Sequence, residues 1–173
     1  MKNKATMVQD NFKTLFGFIF LVLLQNLIFD NVNLFGYSCP AVYLFFVISY
    51  RFDKSQFALI ILGFLLGLTV DLLQNSSGAN AISTLFISFI RPFIIKFSFG
   101  VNPDNISILS MKTRLDKQLL YIVLLTFIHQ FVLQSVAYFD LDHFVLILRN
   151  TVMNSTLTFI LLFAALNLFK KKA

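Results

Sequence analysis

Three ionisable side chains sit inside apolar runs of this chain. Asp71 follows Gly63 and Gly67 in GFLLGLTVDLL, Arg91 precedes Pro92 in the run from Ala81 to Phe99, and His129 is followed by Gln130 between Gln118 and Tyr138. An ionisable group inside a hydrocarbon layer is expensive and tends to mark an ion path, a proton relay or a partner contact. Gly63, Gly67 and Asp71 fall on one helical stripe at i, i+4 and i+8, where small residues admit a neighbouring backbone and the acid ends the same face. Similar stripes are Thr84, Ser88 and Arg91; Thr126, His129 or Gln130, and Gln134; and Asn150, Asn154 and Thr158. Each stripe reads equally well as a packing seam, and Arg91 and Lys96 as side chains snorkelling to the inner interface.

The residue inventory gives little to catalysis. The chain has no glutamate, no His, Cys or Asp grouping at metal-ligand spacing, no glycine loop ahead of Lys-Ser or Lys-Thr, and no GxSxG. Ser76-Ser77-Gly78 with a histidine could form a protease dyad only in a helix context that nothing here supplies. The expectation is a non-enzymatic protein with neither cofactor nor metal.

The surroundings of these residues set the fold class. Of 173 residues, 58% are apolar and only 13% charged, with a mean hydropathy of +0.81. A soluble domain would carry about a quarter charged residues, so lipid must be the solvent over most of the fold. The apolar runs are long and do not alternate with period two, which excludes a membrane barrel and leaves helices to satisfy the backbone. The expectation is all-α: one integral membrane helical bundle over residues 1–173, with six transmembrane helices at about 12–29, 34–50, 56–73, 81–99, 118–138 and 145–169.

The second span is the weakest by length. From Pro40 to Tyr50 it would rise only about 16 Å as a helix, so it needs the 34–39 lead-in or shielding by other helices. Charge argues that it crosses. Lys2, Lys4 and Lys13, then Arg51 and Lys54, then Lys112, Arg114 and Lys117, then Lys170 to Lys172 lie on alternate connections, and the connections between them hold no Lys or Arg. Positive connections stay cytoplasmic, which places both termini inside and requires six crossings. The net charge of +6 then belongs to inner loops facing anionic lipid, not to nucleic acid. In this topology Asp71 lies about 22 Å along its helix, near the outer interface, and Arg91 about 16 Å down from the outside. A direct pair between them is not expected. Asp71 is instead placed to accept hydrogen bonds from the Gly78–Asn80 turn, while His129, near mid-depth, calls for Gln130 or the polar stripe of the sixth span as a neighbour.

The run Gly67-Leu68-Thr69-Val70-Asp71-Leu72, followed after a polar turn by Gly78-Ala79-Asn80-Ala81, resembles the rod shape-determining protein MreD family. Asn31 to Tyr37, then Pro40 and Tyr43, and the later Arg91-Pro92-Phe93 are similar to one bacterial branch of it. The resemblance covers nearly the whole chain. It implies a multi-pass protein of the bacterial inner membrane and a fold similar to the substrate-binding subunits of energy-coupling-factor transporters. It also implies a non-enzymatic subunit of the rod complex, or elongasome, that serves cell shape and lateral peptidoglycan synthesis. The partners implied are an MreC-like single-span protein, MreB filaments, and RodA with its elongation transpeptidase. Many relatives carry His in the Gly78–Ala81 turn, where this chain has Asn80; hydrogen bonding survives that difference and a titrating role does not.

Two functions of different class follow. In the first, the chain is a scaffold whose Gly63, Gly67 and Asp71 face and outer turns dock a single-span partner. In the second, it is a small-molecule-binding subunit of a transporter, with His129, Gln130 and Asn154 converging on a cavity. A lesser third is an accessory subunit of a lipid-processing enzyme.

Overall fold

The computed structural model describes residues 4–30, 40–50, 55–100, 114–139 and 141–169. The turn expected at 31–37, the 34–39 lead-in, the charged turn at 51–54, most of the connection at 101–113 and the lysine tail at 170–172 lie outside the described residues. All regular elements among the described residues are helical: α1 (Lys4–Leu24), continued by a π turn at Gln25–Phe29, then α2 (Leu44–Ser49), α3 (Gln56–Gln74), α4 (Ala79–Phe99), α5 (Leu115–Tyr138) and α6 (Phe144–Phe169), the last entered through a 3₁₀ turn at Leu141–His143. Helices α3, α4, α5 and α6 pack successively, each against the next.

Among the described residues four helices are long and apolar enough to cross a bilayer: α3, α4, α5 and α6. The first two expected spans differ from expectation in form. The apolar part of the first is Thr14–Phe29, about 24 Å of rise against a hydrocarbon core of about 30 Å. The polar tail does not precede this helix but forms its first turns from Lys4. The second keeps only Leu44–Ser49 as α-helix.

The reason for the shortened α2 is local. The backbone N–H of Ala41 donates to Thr158 Oγ1 at 3.0 Å, and that of Val42 to Gln25 Oε1 at 2.8 Å. These side chains take the place of a helical turn, and Pro40 lies in a bonded loop ahead of the helix, not in its first turn. The segment is nonetheless deeply enclosed, with Leu44, Val47 and Ile48 wholly buried. It runs beside α4 in the same direction: Tyr43 meets Asn80 at the start of α4, and Tyr50 meets Arg91 eleven residues later.

The two glycines of the third span explain how closely α3 and α4 pair. A Cβ at Gly67 would lie on the Asn80 carbonyl and 2.7 Å from Ala81 Cα, and one at Gly63 would overlap the Ser88 side chain. Both glycines and Asp71 are buried. The stripe is therefore filled by the chain's own fourth helix, which corrects the expectation that it docks a partner. The faces left outward are apolar, with Phe93, Phe97 and Val145 among the most exposed side chains.

Helix α4 is continuous through Arg91-Pro92, not interrupted there. Proline has no N–H, so the carbonyl four residues back loses its helical donor. That carbonyl belongs to Ser88, and Gln56 Nε2 on α3 reaches it at 2.6 Å. Pro92 thus creates an acceptor that the first residue of α3 fills.

Two stability predictions follow from this seam. Gln56→Leu costs about 1 kcal/mol in the native background and close to nothing when combined with Pro92→Ala, which restores the helical donor; a double-mutant cycle by unfolding in detergent reads the difference. Gly67→Ala destabilises by about 1–3 kcal/mol through overpacking, whereas Gly17→Ala, whose Cβ would meet nothing within 4 Å, leaves the midpoint unchanged.

Candidate functional site

Helix α3 ends and α4 begins within four residues. Asn75 and Ser77 adopt left-handed backbone at φ 53° and 55°, and Gly78 at φ 89°. Gly78 is the N-cap of α4 and has no side chain with which to cap it. The first N–H groups of a helix have no internal acceptor and need one from elsewhere. Asp71, one turn back along α3, supplies it. Its Oδ1 accepts from the Asn80 N–H at 3.0 Å and its Oδ2 from the Ala81 N–H at 2.7 Å. The carboxylate, only 5% exposed, sits at the positive end of the α4 dipole, which favours an anion. Asn80 Nδ2 and Ser76 Oγ also donate to Oδ1, at 3.0 and 2.5 Å. The expected bonds from the turn to Asp71 are present, with Ser76 and Ala81 joining Asn80 as donors.

Asn80 carries the network inward. Its side-chain oxygen accepts from the Tyr43 hydroxyl at 2.8 Å, and its backbone carbonyl accepts from Ser83 Oγ at 3.1 Å and Thr84 Oγ1 at 2.7 Å. Those three hydroxyls surround Nε2 of the fully buried His129, at 3.1, 3.1 and 3.5 Å. Nε2 shares hydrogen bonds with these hydroxyls, its role following the tautomer of the ring. Nδ1 is buried without a hydrogen-bond partner. The expected neighbours of His129 are thereby corrected: α4 and the segment before α2 supply its contacts, not Gln130 or α6.

Gln130 turns the other way and meets Thr158 of α6 at 3.4 Å.

Arg91 holds the opposite half of the bundle. It is 2% exposed, and its Nε donates to the Tyr121 hydroxyl at 3.0 Å while an Nη donates to the Tyr50 carbonyl at 2.5 Å and the Ile48 carbonyl at 3.4 Å. Those carbonyls end α2, where the helix leaves its last acceptors open. Arg91 is therefore a buried clasp and does not snorkel; Lys96, by contrast, is exposed. Ten residues of α4, about 15 Å of rise, separate Arg91 from the Ala81 N–H that Asp71 holds.

Beside the Asp71 network lies a cavity of about 350 Å3. Gln25, Tyr43, Gln74, Ser76, Asn80, Gln134 and Asn154 give its wall polar groups, and Leu133 and Val136 give it an apolar side. Of the three residues expected to converge on such a space, Asn154 lines it while His129 and Gln130 stand behind the wall. Among the described residues, no group of three or more His, Cys, Asp or Glu is placed to hold a metal ion.

Sequence reasoning missed Gln25, Gln56 and Tyr121. Gln25 carried a usable signal, a carboxamide within the apolar run from Phe12 to Phe29. It is buried, and besides Val42 it bonds the Pro40 carbonyl at 3.1 Å. Its position in a π turn fits a side chain re-aimed by one extra residue, a common device at sites under constraint.

Comparison with protein-family models, with curated proteins and with solved structures finds no match for the chain.

The Asp71 network predicts a large single-site cost. Asp71→Leu removes the acceptor for two α4 N–H groups and the Asn80 amide and destabilises by at least about 3 kcal/mol. Asp71→Asn, which keeps one acceptor oxygen, loses less. Unfolding of the purified variants in detergent orders them, and equal losses would refute the capping account.

Proposed function

We propose that this chain is a non-enzymatic membrane scaffold of the MreD type, a subunit of the rod complex that joins an MreC-like single-span protein to the machinery of lateral peptidoglycan synthesis. The observation that carries the reading is where the resembling motifs meet. Gly67 to Leu72 and Gly78 to Ala81 flank one turn, and Tyr43, 37 residues before Asn80, joins Asp71, Asn80 and Ala81 in one bonded unit. Two of the motifs would meet in any hairpin of α3 and α4; the support lies in the distant Tyr43 bonding to the same Asn80 that Asp71 holds.

With this reading we propose six crossings, both termini cytoplasmic, and the inner membrane of a bacterium. The parallel course of residues 40–50 beside α4 supports a crossing there, short though its helix is, because surrounding helices shield its backbone from lipid. The basic inner connections suit anionic lipid and MreB filaments, and RodA with its transpeptidase completes the expected assembly. Since Gly63, Gly67 and Asp71 are used internally, the partner must dock on an outward apolar face.

The test is affinity purification of the tagged full chain from native membranes, with deletion in parallel. The expected results are recovery of an MreC-like protein and rounding of the cells. Rod-shaped deletion cells, with an ATPase pair recovered in place of that partner, would instead identify a transport subunit similar in fold to those of energy-coupling-factor systems.

A further inference from the structure

The wall of the cavity beside Asp71 divides into two parts. On one side the polar groups are committed: Gln25 to the backbone of Pro40 and Val42, Tyr43 to Asn80, and Ser76 and Asn80 to Asp71. On the other side they are not. The side chains of Gln134 and Asn154, both buried, make no hydrogen bond to any described residue, and the Asn154 oxygen and Gln74 Nε2 are buried without a partner. A buried carboxamide without a partner costs about 1–3 kcal/mol, and here two of them, from α5 and α6, line one space together with Gln74 of α3, whose oxygen accepts from Asn80 Nδ2 at 3.4 Å while its Nε2 has no partner.

We propose that this cavity binds a small uncharged polyhydroxyl group, such as one sugar ring, by hydrogen bonds to Gln74, Gln134 and Asn154. The lining chooses among ligand classes. Among the described residues it contains no Lys, Arg, His, Asp or Glu side chain, so a charged ligand would give up its hydration without a counter-charge from them. A purely apolar ligand would leave the carboxamides unpaired. Each carboxamide offers both donors and an acceptor, and a hydroxyl offers the same pair, so an array of hydroxyls satisfies all three. Leu133 and Val136 cover the C–H face of such a ring. The volume of about 350 Å3 lies within the range of about 300–1,000 Å3 usual for small-molecule sites. Ser77 and Ala137, exposed at the rim, mark the entrance.

The same chemistry arrives either as a free sugar or as the headgroup of a glycolipid. The site goes beyond the scaffold reading and does not depend on it.

The experiment uses the full chain in lipid nanodiscs and measures binding by native mass spectrometry and calorimetry. One arm adds glucose and maltose; a second incorporates monoglucosyl diacylglycerol, with diacylglycerol as its control; a third adds glucose 6-phosphate. Saturable one-to-one binding is expected in the first or second arm, which identifies the source, and none in the third. Gln134→Leu and Asn154→Leu each weaken it about tenfold. Ala137→Phe, at the exposed rim, blocks entry with an unchanged melting temperature and so separates loss of the site from loss of the fold. Absence of saturable binding of either neutral form overturns the proposal. So does undiminished binding by the folded Ala137→Phe protein, or a preference for the phosphate. None of these results bears on recovery of an MreC-like partner.

Discussion

A helix that starts inside an apolar bundle must find acceptors for its first N–H groups, and α4 starts after a glycine that can offer none. The carboxylate of Asp71 fills that requirement from the neighbouring helix, and much of this end of the molecule is arranged around it. The left-handed turn at Asn75, Ser77 and Gly78 brings the start of α4 back over α3. Gly67 permits the approach, since any side chain there would strike the backbone at Asn80 and Ala81. Asn80, fixed by Asp71, then orients Tyr43, Ser83 and Thr84 around His129.

The same accounting recurs wherever a helix is broken. Lipid offers no hydrogen bonds, so each irregular backbone group must be met by protein. Gln25 and Thr158 serve the N–H groups ahead of α2, Arg91 serves the carbonyls behind it, and Gln56 serves the carbonyl that Pro92 leaves open. These residues lie on the π turn after α1 and on α6, α4 and α3. The first three hold the short segment at 40–50, which is how six residues of helix can occupy its place among the longer ones.

Hydropathy made the four long helices legible. The runs at 56–73, 81–99, 118–138 and 145–169 match α3 to α6 to within three residues at each end, because length and apolarity alone decide them. Asp71 was legible too, since an acid one turn before a polar turn has few other uses. The partner of each stripe was not. Periodicity says which residues share a face, but a seam against a sibling helix and a docking face for another protein have the same period, so for Gly63 and Gly67 both readings stand until the fold is known. Long-range side-chain-to-backbone bonds were equally hidden. Nothing local in Gln56 points to Ser88, and nothing local in Gln25 points to Val42; only the folded path makes them neighbours.

The Asp71 cap also bears on how the chain enters the membrane. During synthesis α3 emerges before α4, and until α4 follows, the carboxylate has none of the backbone N–H groups that later surround it. An acid stranded in a lone helix favours staying in water or at the protein-conducting channel. The cost of burying the acid of α3 is thus met only when α4 lies beside it, which ties the two helices into one hairpin in which neither is complete alone.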